Sequence, residues 1–145
     1  MNKNLFLNPK VCKIQYVNSS DVVSYKIYKN TISVQFAQGK TWLDFYSTPG
    51  SASFEFPLDN LDGNDYFKQK VSMFFPGLDS SHIIASENAS SLKYLIKISM
   101  NSGEDFIMGT GENPAQYIES FNSDKGGYDI SFWCNSQNRP YLLIS

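Results

Sequence analysis

The fold class is decided by residues 92–108, LKYLIKISMNSGEDFIM, and by residues 126–134, GGYDISFWC. In the first stretch, apolar side chains occupy every second position: Leu92, Tyr94, Ile96, Ile98 and Met100. Successive side chains of a strand point to opposite faces, so this spacing predicts a strand with one apolar and one solvent-facing side, to which Leu95 is the exception. A turn at residues 101–103, NSG, leads into a second predicted strand, whose apolar side chains face the same side as those of the first. Residues 128–134 alternate in the same way, with Trp133 as the one bulky residue on the polar side.

The rest of the chain predicts more strands of the same kind. At 145 residues the chain has the length of one domain, and we expect a single domain over residues 1–145 with residues 1–9 as an N-terminal arm. Further strand candidates cover residues 10–17, 22–28, 31–36, 41–46, 53–56, 66–75 and 141–145. This spacing predicts an all-β fold, a two-sheet β-sandwich of about ten strands, with at most two short helices at residues 86–92 and 114–121.

Parity and turn residues add detail to this fold. The side chains expected in the core are Ile96, Ile98, Phe106, Tyr128, Ile130 and Phe132. Residues 29–30 and 62–63 have the composition of tight hairpin turns. Because Pro140 has no N–H to donate, the last strand is expected at the edge of a sheet.

The N-terminal segment does not have the composition of a signal peptide. Its only apolar run is Leu5-Phe6-Leu7, well short of the apolar core that such peptides need, and no other stretch is long and apolar enough to span a membrane. We therefore expect the protein to stay in the compartment where it is made, without a membrane partner. Cys12 and Cys134 fall on strand-like alternations and have no CxxC partner, so buried free thiols are expected.

No group of residues has the pattern of a catalytic or metal site. His82 is the only histidine, which disfavours a zinc site with nitrogen ligands and leaves one possible base for a serine triad. Asp59, Asp62 and Asp65 lack the alternate spacing of a calcium loop and favour a turn. Residues 109–112, GTGE, lack the Lys-Ser/Thr of a phosphate loop and also indicate a turn. We expect no enzymatic activity, no metal and no cofactor. The sequence places no pair of carboxylates across a cleft, so a glycosidase has no support, but it is not excluded.

The charges are unevenly distributed along the chain. Residues 1–50 carry six lysines and two acidic residues, whereas residues 101–145 carry two basic and six acidic residues. Opposite charges on one subunit favour head-to-tail contacts that close into rings or stack into tubes, but the two regions could equally face each other within one fold. Arg139 is the only arginine, so sequence-specific nucleic acid is not an expected partner.

The chain from Gly63 to its C-terminus has a recognisable order of turns and strands. GNDYF at 63–67 opens a long strand that ends at Pro76-Gly77, NSGE at 101–104 is followed by FIMG at 106–109, and GGYDISF occupies 126–132. In this order the segment resembles small structural proteins of tailed bacteriophages, of the tail, tail-completion and head–tail connector types in phages of Bacteroides-like hosts. The abundance of Asn, Lys, Ile, Tyr and Phe also fits an A/T-rich coding source, as such phages often are.

The resemblance implies a function in assembly. Proteins of this kind are two-sheet β-sandwiches that form homo-oligomeric rings and have no enzymatic activity. The implied protein is made in the host cytoplasm, enters the tail or neck of a virion, and contacts copies of itself and other virion proteins. The candidate subunit-interface residues are Leu5, Phe6, Leu7 and Trp133. The alternative is a small β-sandwich binding module for carbohydrate or protein, in which Trp42, Trp133 and surface tyrosines would stack against the ligand.

Overall fold

The computed structural model describes residues 10–45, 50–77, 93–111 and 113–144. Within these residues the chain forms one short 3₁₀ turn, Ser19–Asp21, and two sheets built from twelve strands. The strands are β1 (Val11–Asn18), β2 (Val22–Tyr28), β3 (Thr31–Phe36), β4 (Leu43–Phe45), β5 (Ser53–Glu55), β6 (Leu58–Leu61), β7 (Asn64–Pro76), β8 (Tyr94–Met100), β9 (Asp105–Met108), β10 (Gln116–Asn122), β11 (Gly127–Ser136) and β12 (Tyr141–Leu143). The predicted all-β, two-sheet fold is confirmed. The predicted arm over residues 1–9, the predicted helix at 86–92 and His82 lie outside the described residues.

The larger sheet has seven strands in the order β2-β3-β12-β9-β8-β1-β4. The smaller sheet has five strands, in the order β10-β11-β7-β5 with β6 also paired to β7. The hairpin turns predicted at residues 29–30 and 62–63 are confirmed, since they join β2 to β3 and β6 to β7. Asp62 and Gly63 both have positive φ, at 52° and 84°, as a two-residue turn between right-twisted strands requires.

The prediction that the last strand lies at a sheet edge is wrong. β12 lies inside the larger sheet, parallel to β3 on one side and antiparallel to β9 on the other. Pro140 precedes the first residue of the strand, so its missing N–H falls outside the ladder. The donors that are needed come later, because the amides of Leu142 and Ile144 donate to the carbonyls of Asn30 and Ile32.

The prediction of a helix at residues 114–121 is also wrong, because residues 116–121 belong to the strand β10 and Ala115 forms a bridge to Tyr94. The side chains of β10 alternate, so that Tyr117 is buried in the core while Gln116 and Ile118 are exposed. β10 pairs with β11 along its whole length, from Gln116↔Trp133 to Asn122↔Gly127. The ladder supplies the hydrogen bonds that a helix would otherwise have made, and tertiary pairing overrides the local helix-start signal at residues 113–114.

The core lies between the two sheets and is centred on Phe132. Four of the predicted core residues are buried: Ile96, Ile98, Ile130 and Phe132. Two others, Phe106 and Tyr128, are only partly buried but pack against the same cluster. The Phe132 ring lies within 6.5 Å of the Tyr16, Phe45, Tyr94 and Tyr117 rings, centroid to centroid.

A second, smaller core covers the opposite face of the larger sheet. It is formed by Val17, Ile32, Leu95 and Ile107. At Ile107 the alternation predicted a solvent-facing position, and that prediction is wrong. The residues that cover this second core are Val22 of β2, Val34 and Phe36 of β3, Tyr141 and Leu143 of β12, and Trp42 at the end of the connection from β3 to β4. Trp42, at the end of this connection, packs on the second core and lies beneath the ammonium group of Lys97.

β2 ends the strand order of the larger sheet and β10 ends that of the smaller sheet. Phe45 on β4 has its ring centroid 6.4 Å from that of Tyr117 on β10, and Phe54 on β5 lies 5.6 Å from Phe106 on β9. β10 therefore lies against the β4 edge of the larger sheet, and β5 lies against its middle. The strands β12, β3 and β2 continue on the far side of β9.

Candidate functional sites

The first candidate site is the free edge of β2. β2 pairs with β3 on one side and has no partner strand on the other within the described residues. Its exposed apolar side chains include Val23 and Tyr28, which are 64% and 71% exposed. Lys26 and the adjacent turn residue Lys29 make this edge basic, and neither forms an ion pair within the described part of the chain.

The second candidate site is the edge of β10, which has no partner strand on its outer side among the residues that the structure describes. It is as long as β2, at seven residues, and exposes Ile118 and Phe121. Glu119 and Asp124 make it acidic. The Glu119 carboxylate accepts a hydrogen bond from the Tyr117 hydroxyl at 2.8 Å, but neither acid forms an ion pair among the residues described here. The two edges are therefore equal in length, apolar in part and opposite in charge.

Trp133, a predicted interface residue, lies on the outer face of the smaller sheet. It is partly exposed and borders a shallow depression of about 200 Å³ together with Lys68, Lys70, Ile118 and Ser131. Its indole N–H is buried and has no hydrogen-bond partner within the described residues. The other predicted interface residues, Leu5, Phe6 and Leu7, lie outside those residues.

The third candidate site is an open cleft of about 510 Å³ between the larger sheet and one end of the smaller sheet. Three tyrosines from three strands line it: Tyr25, Tyr66 and Tyr141. Six of its lining residues have amide or hydroxyl side chains: Thr110, Asn113, Asn135, Ser136, Gln137 and Asn138. The pKa of Tyr66 is raised, mainly by partial burial and further by Asp59, whose carboxylate accepts its hydroxyl at 3.3 Å.

Gln69 anchors one wall of the cleft from below. It is buried, and its Nε2 donates to the backbone carbonyl of Asn138 at 2.8 Å. Its Oε1 faces the Cys134 sulfur at 3.5 Å, which gives this buried amide a partner at both ends. Burial raises the pKa of the Cys134 thiol to about 11, so the sulfur stays protonated and serves as a donor to Gln69.

The loop after β9 forms the opposite wall, and glycines fix its path. Gly109 has a φ of 93°, and a Cβ there would lie 2.4 Å from the carbonyl oxygen of Tyr94. At Gly111, with a φ of 62°, a Cβ would meet the Tyr25 hydroxyl at 3.0 Å. Both positions therefore require glycine, for backbone conformation as well as for space. The turn predicted for the GTG segment is confirmed.

The remaining sequence candidates fall at other places in the fold. Trp42 packs on the second core rather than standing free for a ligand. Asp59 and Asp65 flank the β6–β7 turn, where the Asn60 side chain donates to Asp65. Cys12 is exposed, contrary to prediction, because the ladder shifts between Val11 and Lys13 and interrupts the alternation; Cys134 is buried as predicted. Across the described ranges, no three His, Cys, Asp or Glu residues are grouped as they would be to hold a metal ion.

The chain matches no protein-family model, no curated protein and no solved structure. Among the described residues there is no helix of the length and apolar character needed to cross a membrane. The sites are therefore interpreted from their geometry and chemistry.

Proposed function

We propose that the protein is a non-enzymatic structural subunit of a virion, of the phage tail or head–tail connector type, which assembles with copies of itself. The observation that carries the proposal is the pair of free edges on β2 and β10. An unpaired strand edge presents a row of N–H and C=O groups that a strand of a neighbouring chain can complete. The two edges belong to different sheets, so β2 of one copy can meet β10 of the next.

Apolar area and charge contribute differently to the free energy of such a contact. Burying an exposed Val, Ile, Leu or Phe side chain in full stabilises by about 1.5–3 kcal/mol before ordering costs, so Val23, Tyr28, Ile118 and Phe121 supply most of the attraction. Exposed ion pairs contribute only about 0–1 kcal/mol each. The role of Lys26, Lys29, Glu119 and Asp124 is therefore to select the partner edge and to disfavour contacts between like edges.

Because the two edges differ, the contact is heterologous. A heterologous contact repeats from one subunit to the next and generates a ring where the rotation closes or a tube where it does not. This is the architecture expected of tail and connector subunits. In this proposal the face around Trp133, which is bordered by Lys68 and Lys70, serves as a further contact with a neighbouring virion protein.

Charge reversal tests the pairing. The variant Lys26→Glu/Lys29→Glu makes both edges acidic, and Glu119→Lys/Asp124→Lys makes both edges basic. Each variant alone is expected to sediment as a monomer at a concentration at which the wild-type protein assembles, while an equimolar mixture of the two regains assembly. Lys40→Glu/Lys93→Glu is the matched control, because it changes the same charge at exposed positions that belong to neither edge strand.

Assembly is also expected to weaken with salt, because the Debye length falls from about 10 Å at 0.1 M to about 3 Å at 1 M. A wild-type protein that stays monomeric at millimolar concentration would refute the proposal. So would assembly that neither reversal disturbs. The proposed contact of Leu5, Phe6 and Leu7 with a neighbouring subunit is tested separately: deletion of residues 2–8 is expected to leave the melting transition nearly intact and to abolish assembly.

A further inference from the structure

We infer that the cleft lined by Tyr25, Tyr66 and Tyr141 is a binding site for a neutral carbohydrate. The inference rests on the chemistry of the lining and on the rigidity of the walls. All the lining residues belong to one subunit, and two of them, Tyr25 and Ile27, lie on the edge strand β2. The cleft volume of about 510 Å³ falls in the usual range for small-ligand sites, about 300–1,000 Å³.

The cleft is polar but uncharged. Charged residues make up 18% of the chain, yet none of the described residues that line the cleft is charged. Arg139, close by in sequence, instead places its guanidinium over the ring of Phe67 at 5.1 Å. Since no lining cation is available to neutralise a phosphate or carboxylate, the lining favours a ligand without formal charge.

The hydrogen-bonding groups suit a ligand rich in hydroxyl groups. An amide side chain has donors on its nitrogen and an acceptor on its oxygen, and a hydroxyl group both donates and accepts. A sugar hydroxyl also both donates and accepts. Asn113, Asn135 and Asn138 can therefore either donate a hydrogen bond to it or accept one from it. The tyrosine rings offer flat apolar surfaces against which the C–H face of a sugar ring can pack.

The walls are formed before any ligand arrives. Gln69 holds the segment around Asn138 from beneath, and the Asn138 amide also donates to the Ser136 hydroxyl at 3.2 Å. On the other wall, the Asn113 amide donates to the carbonyl of Thr110 at 3.2 Å. A site that is already ordered loses little conformational freedom on binding, which favours affinity for a weakly interacting ligand such as a sugar.

A peptide fits this cleft less well than a carbohydrate. Peptide-binding grooves obtain most of their affinity from apolar pockets that bury anchor side chains. Among the described lining residues, the only aliphatic one is Ile27 on β2. The others are mostly tyrosines, amides and small hydroxyl residues, a composition that suits a hydroxylated ring.

The test uses the full chain and a panel of neutral hexasaccharides of glucose, mannose, galactose and N-acetylglucosamine. Binding is measured by calorimetry and by saturation-transfer NMR. At least one member is expected to bind, and Tyr25→Ala is expected to weaken its affinity about tenfold, which corresponds to about 1.4 kcal/mol of lost ring contact. Leu43→Ala is the control, because Leu43 is an exposed apolar side chain on β4, outside the cleft, and the substitution is expected to change affinity less than about twofold.

The results that overturn the inference are equally specific. They are no binding of any neutral hexasaccharide, binding that Tyr25→Ala and Leu43→Ala reduce equally, or retention of peptides from a random library in place of sugars. Circular dichroism of both variants establishes that the fold is intact. A second cleft variant, Asn135→Ala, is expected to weaken the same ligand and removes only an exposed amide, so the test does not depend on one substitution.

Discussion

Phe132→Ala is the substitution that most directly tests the sandwich core. The Phe132 side chain is fully buried, and its ring centroid lies 5.4 Å from that of Phe45 and 5.4 Å from that of Tyr117. Truncating a buried Phe to Ala costs about 3–5 kcal/mol, from lost transfer energy and from the cavity left behind. Because this ring links aromatic side chains of both sheets, we expect the upper part of that range. In a domain of this size the melting temperature should then fall by about 10–15 °C.

The measurement is urea unfolding followed by circular dichroism, with thermal melts as a second readout. Phe121→Ala is the matched control, because Phe121 lies on the edge strand β10 and is 45% exposed. It is expected to cost less than about 1 kcal/mol. Phe132→Leu retains most of the volume and should fall between the two. A loss below about 1 kcal/mol for Phe132→Ala, or equal losses at Phe132 and Phe121, would refute the assignment of the core.

Three further predictions follow from side-chain environments. A thiol reagent is expected to modify Cys12 in the native protein and Cys134 only after unfolding, because Cys134 is buried and its pKa is raised to about 11; modification of both thiols at equal rates would contradict this. The pKa of Asp129 is lowered chiefly by its hydrogen bond from Lys125 at 3.1 Å. The contribution of Asp129 to stability is therefore present above the ordinary Asp pKa and is lost as the pH falls through the lowered value. Lys125→Met should raise the pKa of Asp129 in an NMR titration. Tyr94→Phe is expected to be as stable as wild type or more stable, since the buried Tyr94 hydroxyl has no partner within the described residues, and a loss above about 1 kcal/mol in urea would reveal a partner.

Local patterns predicted the strands well where one face of a strand is buried and the other is polar. β3 was predicted with its observed ends, 31–36, and the hairpins at 29–30 and 62–63 follow from turn residues alone. The pattern was insufficient where both faces are covered. Leu95 and Ile107 broke the alternation because they belong to a second core, which side chains of β2, β3 and β12 cover together with Trp42.

The remaining differences arise from partners distant in sequence. Residues 114–121 begin with a helix-start signal, yet from Gln116 onward they pair with β11 and form a strand. The cleft joins residues from β2, β7, β12 and two loops, so no window of sequence contains its pattern. Its tyrosines were predicted only collectively, as surface tyrosines, and Trp42, a candidate of the same kind, is instead packed on the second core. Of the two tryptophans predicted to stack against a ligand, only Trp133 lies where the alternation predicted, on the outward side of its strand.

The position of β12 has a consequence for the order in which the fold is completed. The β2–β3 hairpin joins the larger sheet through β12, because β3 has no other neighbour on that side. β3 begins at Thr31 and β12 at Tyr141, so a hairpin translated early must wait for a strand translated much later. Closing contacts over so long a separation is slow. During synthesis the β2–β3 hairpin is therefore expected to remain undocked, with its apolar residues accessible to chaperones, until β12 emerges from the ribosome and locks it in place.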